Sequence, residues 1–119
     1  INMSINMVIY GEPCSKANSR RLVKSKAGRP LFIKSQKALN YVNSFGQQCQ
    51  SVDPLITEDV SVMIRIYYAS RRPDLDESLI LDCMQGLVYK NDRQVKEKHI
   101  IWGGVDKDNP RAEISVRNL

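Results

Sequence analysis

The chain has 119 residues, of which 42% are hydrophobic and 26% are charged, and its formal net charge is +5. This length and composition are typical of a soluble globular protein, and we expect one domain over residues 1–119. No apolar run approaches the roughly 20 residues that span a bilayer, and the N-terminus lacks the basic and then apolar segments of a signal peptide. We therefore expect a cytoplasmic protein without a membrane partner.

The cysteines argue against a zinc site. Cys14, Cys49 and Cys83 are widely spaced and form no C-x-x-C pair, and His99 is the single imidazole. Cys49 and Cys83 fall at apolar positions of predicted helices, where a thiol packs as a small hydrophobic group. This set agrees with a reducing compartment.

The N-terminal half predicts a strand, a long loop, a short strand and a helix. Residues 4–10 alternate and then run apolar, which is typical of a strand. Residues 12–29 are rich in Ser, Lys, Arg and Asn and predict a loop with room for a short hairpin. Residues 31–33 form a brief apolar strand, and Ser35 caps a helix that ends near Gln50. The apolar positions with helical spacing are Ala38, Leu39, Val42, Phe45 and Cys49.

The clearest strand pattern lies at residues 60–68. Alternate positions of this strand are β-branched and face one way. A helix over residues 77–87 follows, with Asp76 as its N-cap. The apolar stripe of this helix consists of Leu79, Ile80, Cys83, Met84 and Leu87.

The remaining residues predict two more strands and complete the fold. Residues 93–102 form one strand, residues 103–104 (Gly-Gly) turn the chain, and residues 112–116 form the last strand. The elements together predict an α+β fold, in which a mixed β-sheet is covered on one face by two main helices.

Basic residues are concentrated in one segment of the chain. Between residues 12 and 37, eight basic side chains accompany a single acidic one, Glu12. The basic residues are Lys16, Arg20, Arg21, Lys24, Lys26, Arg29, Lys34 and Lys37. This concentration indicates a surface for nucleic-acid phosphates, and a solvated, flexible loop is the alternative interpretation.

Three aspartates surround the predicted helix over residues 77–87. Asp74 and Asp76 form a D-x-D, whose side chains project to the same side of an extended segment, and Asp92 lies just past the helix. Three carboxylates repel one another unless a cation neutralises them, and all-oxygen donors favour Mg²⁺ or Mn²⁺. Taken singly, Asp76 is also a typical cap and Asp92 a typical turn residue. A carboxylate-held metal in a basic protein indicates a small metal-dependent nuclease.

The motifs around these aspartates resemble the RusA-type Holliday junction resolvases of bacteria and their phages. The resemblance rests on RPDLD at residues 72–76, the helix, GLVYKNDRQV at residues 86–95, and a following strand. It is firm over residues 60–102. The elements before this region agree with it, since a leading strand, a basic loop and a helix precede it.

The resemblance implies a RusA-like fold and specific roles for several residues. The implied Mg²⁺ ligands are Asp74, Asp76 and Asp92. Asn18 resembles the family's N-terminal Asn near the active site, and Arg71 and Arg72 resemble its basic residues beside the acidic pair.

The chain departs from the family pattern at the helix. The family pattern D-x-D-N is followed by a catalytic Lys on the helix, whereas here Glu77 replaces the Asn and Ile80 stands at the Lys position. In a catalytic protein, Lys90, Lys16 or an arginine must then take that role. Lys90 is the first candidate, because alternation along an extended stretch aims its side chain to the same side as that of Asp92.

Asp82 is a further acidic residue on the polar face of the predicted helix. It is either a fourth acidic contributor to the site or a solvated helix residue, and the second interpretation is the more typical one.

The implied reaction is Mg²⁺-dependent hydrolysis of a phosphodiester in four-way DNA junctions, in recombination, repair or phage DNA processing. Arg72 is expected to neutralise charge on the scissile phosphate. The residues expected to contact DNA are Lys16, Asn18, Arg20, Arg21, Lys24, Lys26, Arg29 and Arg71. Because a four-way junction has two strands to cut, we expect a homodimer, joined through the helix over residues 35–50 or an edge strand.

Two alternatives stay open at this point. One is a metal nuclease that acts on flap or fork DNA, since the same site cuts any phosphodiester that reaches it. The other is a DNA-binding module of the same fold without catalysis, because a fold persists when a working site is lost.

Overall fold

The computed structural model describes residues 3–15 and 18–119. In chain order the elements are β1 (Ser4–Tyr10), β2 (Arg20–Lys24), β3 (Pro30–Lys34), α1 (Gln36–Gln48), β4 (Val60–Tyr68), α2 (Ser78–Met84), β5 (Val95–Val105) and β6 (Arg111–Asn118). No helix within these described ranges is long and apolar enough to cross a membrane.

Strands β1, β6, β4 and β5 form a mixed sheet in that order. β4 pairs antiparallel with β6 and parallel with β5, so that Ile64 lies between Ile114 and Ile100. β1 and β5 form the two edges. The predicted α+β fold with a mixed sheet is confirmed, and the interior position of β4 agrees with its β-branched pattern.

The core lies between one face of this sheet and the two helices. The apolar residues at alternate positions 60–66 of β4 are completely buried, whereas Met63 and Arg65 on the opposite face are exposed. The helix residues buried against the sheet are Ala38, Tyr41 and Phe45 of α1 and Leu79, Ile80, Cys83 and Met84 of α2. Both helices therefore cover the same face, as predicted.

Helix α1 begins at the predicted cap and packs four of its five predicted apolar residues against the core. The hydroxyl of Ser35 accepts a hydrogen bond from the backbone N–H of Ala38 (3.2 Å). Leu39, predicted to face the core, is 42% exposed, and Tyr41 is buried instead. Tyr41 lies one turn before Phe45, with ring centroids 6.1 Å apart, so an aromatic pair lies on the buried face.

Helix α2 is shorter than the predicted helix over residues 77–87. Its N-cap is Glu77 rather than Asp76, although the carboxylate of Asp76 does accept a hydrogen bond from the backbone N–H of Ser78 (2.9 Å). The chain leaves the helix before Gly86, whose φ of +88° is a conformation that glycine adopts without steric cost.

The predicted turn at Gly103 and Gly104 is wrong, because β5 continues through both glycines to Val105. A Cβ on Gly103 would lie 2.8 Å from the ring of Tyr67 on the neighbouring strand. Gly103 therefore allows the Tyr67 ring to pack closely on the sheet. The chain reverses only after Val105.

The predicted loop over residues 12–29 contains the first strand of a hairpin. β2 pairs antiparallel with β3 from Arg20 opposite Lys34 to Lys24 opposite Pro30. No residue of the two strands is fully buried. The hairpin therefore stands outside the core and presents its side chains to solvent.

Candidate active site

The D-x-D turn is anchored by the hydroxyl of Tyr68, the last residue of β4. This hydroxyl donates a hydrogen bond to the backbone carbonyl of Asp74 (3.1 Å) and accepts one from the backbone N–H of Asp76 (3.2 Å). The Tyr68 ring is completely buried and stacks on Trp102, with centroids 5.1 Å apart. The turn is therefore fixed to the sheet through its backbone, while Asp74 stays exposed and Asp76 is half-buried.

Acidic side chains gather around this end of β4. Burial raises the pKa of the Tyr68 phenol, and the charges of Asp76, Glu12 and Glu77 raise it further, against the opposing effect of the Asp76 N–H hydrogen bond. The hydroxyl therefore stays protonated at neutral pH and remains a donor. Glu12 is held here because its carboxylate accepts a hydrogen bond from the backbone N–H of Ala69 (2.6 Å).

An ion pair brings a lysine to the start of α2. Glu77, which follows Asp76, contacts Lys98 of β5, with 2.7 Å between its carboxylate oxygen and the Lys98 Nζ. The Lys98 side chain is half exposed, whereas that of Glu77 is only 19% exposed. Sequence reasoning missed Lys98, because 21 residues separate the two partners and no local pattern distinguishes one charged strand residue from another.

Asp92 lies on a separate turn, which the Gln94 side chain joins to the backbone carbonyls of Ile56 and Glu58. It begins a short 3-10 helix (Asp92–Gln94), in which Asn91 and Gln94 form a reciprocal capping box. Its backbone N–H donates to the side-chain carbonyl of Gln85 (2.9 Å). Asp92 is exposed and lines, together with Lys98, an open cleft of about 390 Å³.

The predicted metal ligands form two groups in this structure. Asp74 and Asp76 share the turn that Tyr68 anchors. Asp92 lies on the second turn, where burial and the negative charges of Asp92 and Asp82 raise the pKa of the Tyr89 phenol. Over residues 3–15 and 18–119, no three Asp, Glu, His or Cys side chains come close enough to hold one ion. The oxygen donors suit a hard cation in their chemistry, and the three-aspartate metal site stays a prediction.

A second cleft joins two residues that the sequence placed near the site. Asn18 and Arg72 line the same depression of about 250 Å³, together with Glu12 and Lys37. Lys37 comes from α1, and the sequence indicated it only as one of the basic residues of its segment. The cleft has room for a phosphate beside the D-x-D turn, and it offers two cations and an amide to such a group.

The model of one protein family, described as endodeoxyribonuclease RusA, matches residues 11–117. The chain belongs to the RusA family of endodeoxyribonucleases. The resemblance predicted from the acidic motifs is confirmed, and RusA membership makes this chain an endodeoxyribonuclease of a family that acts on Holliday junctions. No curated protein matches the sequence.

The other predicted DNA-contacting residues of this RusA chain lie mainly on the hairpin. Those on the hairpin, all exposed, are Arg20, Arg21 and Lys24 of β2 and Lys26 and Arg29 of the connection to β3. Arg71 is exposed just after β4. Lys16 lies outside the described residues.

Lys90, the first candidate for the missing helix lysine, is exposed. Asn91, the residue between Lys90 and Asp92, is extended (φ −148°, ψ 139°), and the 3-10 helix begins only at Asp92. The role of Lys90 in this RusA site stays a prediction.

Proposed function

We propose that this RusA protein is a Mg²⁺-dependent endonuclease that selects four-way DNA junctions and hydrolyses a phosphodiester near the branch. The observation that carries the proposal is the D-x-D turn anchored by Tyr68, because it presents two carboxylates at the end of a buried strand. Arg72 and the cleft of about 250 Å³, which is large enough for a phosphate, lie immediately beside it. Such a rigid acidic turn within a basic surface suits metal-assisted phosphate chemistry.

The residues that would hold the metal are Asp74, Asp76 and Asp92, with Mn²⁺ as the alternative ion. When bound, such an ion acidifies water and offsets negative charge on phosphate oxygens. Without a cation the carboxylates repel one another, so we expect the approach of Asp92 to the other two to depend on the ion.

The cationic side chains hold and neutralise the phosphate. Arg72 and Lys37 can donate to its oxygens from the cleft that they share with Asn18. Lys98 is our candidate for the cation that helix α2 lacks, because the ion pair with Glu77 holds its Nζ next to the D-x-D turn. We prefer Lys98 to Lys90, because Lys90 forms no ion pair in the part of the chain that the structure describes.

A symmetric substrate favours a symmetric protein. A four-way junction presents two equivalent strands, and a two-fold homodimer would place one active site on each. The contact would run through α1 or through one of the edge strands, β1 or β5. We assign the reaction to recombination, repair or phage DNA processing in the bacterial cytoplasm.

A non-catalytic DNA-binding module is the second candidate function. Two observations favour it: α2 contains no lysine, and no three-carboxylate cluster is assembled among the described residues. The basic hairpin would bind DNA phosphates in either case, with an affinity that falls steeply with salt.

Cleavage of synthetic DNA tests the proposal. A labelled four-way junction, a flap, a fork and a linear duplex of equal length are incubated with the protein, with and without Mg²⁺. We expect Mg²⁺-dependent cuts placed symmetrically near the branch of the junction and little cleavage of the duplex. Preferred cleavage of flaps or forks would change the substrate, and junction binding without cleavage in Mg²⁺ or Mn²⁺ would favour the non-catalytic module.

A further inference from the structure

One face of the β2–β3 hairpin carries an uncovered apolar pair. Leu22 and Phe32 are directly opposite each other in the antiparallel register. Their side chains are 60% and 68% exposed, and Phe32 is the most exposed of the large hydrophobic residues in the described ranges. An aromatic ring left in water at a cross-strand position contributes little to folding, so its presence calls for another contact.

Three basic side chains flank this pair on the same face. Because side chains alternate along a strand, Arg20 and Lys34 lie on one side of the pair and Lys24 lies on the other. None of these three cations forms an ion pair within residues 3–15 and 18–119. A second copy of the chain docked on this face would bring six like charges together. The charge pattern therefore favours a polyanion that also offers an apolar surface, which describes DNA with exposed base faces.

The end of this face that carries Arg20 and Lys34 lies beside helix α2. Arg20 and Lys34 line a small cavity together with Ser78 and Asp82 of that helix. The Ser78 N–H in turn donates a hydrogen bond to the carboxylate of Asp76. Leu22 is two residues after Arg20, and Phe32 is two residues before Lys34. Each apolar residue therefore lies about 7 Å from the cationic residue on its own strand. The apolar pair is thus close to the acidic turn and on a continuous surface with it.

We infer that the Leu22–Phe32 pair is a stacking platform for bases that are unstacked at a DNA branch point. A linear duplex offers a base face only after its stack is opened, which costs a few kcal/mol per step, whereas a branch interrupts the stack already. Stacking of a base on an aromatic side chain contributes about 1–3 kcal/mol. The pair therefore supplies selectivity for branched over linear DNA. This inference rests on the proposed action on branched DNA.

The test compares Phe32→Ala with Leu31→Ala in an Asp74→Asn background, which blocks cleavage during binding. Leu31 is the matched control, because it is adjacent in β3, 47% exposed and on the opposite face of the hairpin. We expect Phe32→Ala to raise the Kd for a four-way junction about tenfold, with the Kd for linear duplex unchanged. Leu31→Ala should change neither, and Phe32→Trp should keep junction affinity.

A fluorescent adenine analogue, 2-aminopurine, placed at the branch reports unstacking directly. Its emission should change when the protein with Phe32 binds and should change much less with Phe32→Ala. Equal losses for Phe32→Ala and Leu31→Ala, or equal losses on junction and duplex, would overturn the inference. Dissociation of a dimer by Phe32→Ala in sedimentation would also overturn it, and would make the pair a contact between copies.

The same data separate this inference from the proposed function. If the protein with Phe32 prefers junctions and Phe32→Ala retains that preference, only the stacking role fails. If the protein with Phe32 binds junction and duplex equally, the proposed substrate fails, and the stacking role fails with it.

Discussion

The two acidic turns of this protein are held in different ways. The turn with Asp74 and Asp76 depends on tertiary structure, since the buried hydroxyl of Tyr68 bonds to its backbone on both sides. The turn with Asp92 combines the local Asn91–Gln94 capping box with hydrogen bonds from the Gln94 side-chain amide to the backbone carbonyls of Ile56 and Glu58 (2.8 and 2.9 Å). Asp74 and Asp76 are thus fixed through a buried phenol of the sheet, whereas Asp92 is exposed on a turn that polar side chains hold in place.

Cleavage should be most sensitive to substitution at the turn that Tyr68 anchors. Asp74→Asn should lower single-turnover cleavage of a four-way junction at least about 100-fold, about 2.7 kcal/mol of barrier, because a proposed metal ligand loses its charge. Junction affinity should be equal or higher, since one charge that repels DNA phosphates is removed. Asp53→Asn, which removes an exposed charge outside both turns, is the control. Near-normal Mg²⁺-dependent cleavage by Asp74→Asn would refute the ligand assignment.

The anchoring of that turn can be broken without touching a carboxylate. Tyr68→Phe keeps the buried ring but leaves the Asp74 carbonyl and the Asp76 N–H without their partner, so the free energy of unfolding should fall by about 1–3 kcal/mol. Cleavage should slow as well, because the turn loosens. Urea denaturation and single-turnover assays measure the two effects. Tyr67→Phe is the matched control, since the Tyr67 hydroxyl makes no hydrogen bond within the described ranges. Equal stability of the two variants would contradict the anchoring role.

The link between the two turns is the Glu77–Lys98 ion pair. Lys98→Ala should slow single-turnover cleavage about tenfold, about 1.4 kcal/mol of barrier, with unchanged junction affinity. Lys96→Ala on the same strand is the control, and Lys90→Ala tests the earlier candidate. Partial recovery by Lys98→Arg would support a positioned cation. A loss of affinity alone would make Lys98 a phosphate anchor, and the cation beside the scissile phosphate would then be an arginine.

The smallest expected effect concerns the surface turn. Mg²⁺ or Mn²⁺ at ten times its Kd should stabilise the fold by about 1.4 kcal/mol, which raises the melting temperature by several degrees. Asp92→Asn should reduce this shift, because it removes one of the proposed ligands. Ca²⁺ should also bind and should support DNA binding with little hydrolysis, since it is larger and more loosely coordinated. No shift with millimolar metal, in a folded protein, would favour the non-catalytic module.

Local patterns were sufficient for much of the fold. The alternation of β-branched residues predicted β4 at its observed bounds, and the hydroxyl of Ser35 caps α1 as expected. The D-x-D and Asp92 were predicted as a metal site from residue type and spacing, and that site stays a prediction, whereas the family match over residues 11–117 confirms the resemblance to the RusA family. These features depend on backbone geometry within a few residues, which the chain encodes directly.

Contacts between distant segments became visible with the tertiary structure. Gly103 was predicted as a turn residue, but it lies within β5, where the ring of Tyr67 packs against it, and Tyr41 is buried in α1 whereas Leu39 is exposed. The Glu77–Lys98 ion pair likewise required β5 to lie beside α2. Local preferences in the sequence set which segments form strands and helices and where the acidic motif lies. Long-range packing determined which of these residues contact one another, since a contact across the sheet depends on where every intervening element has folded.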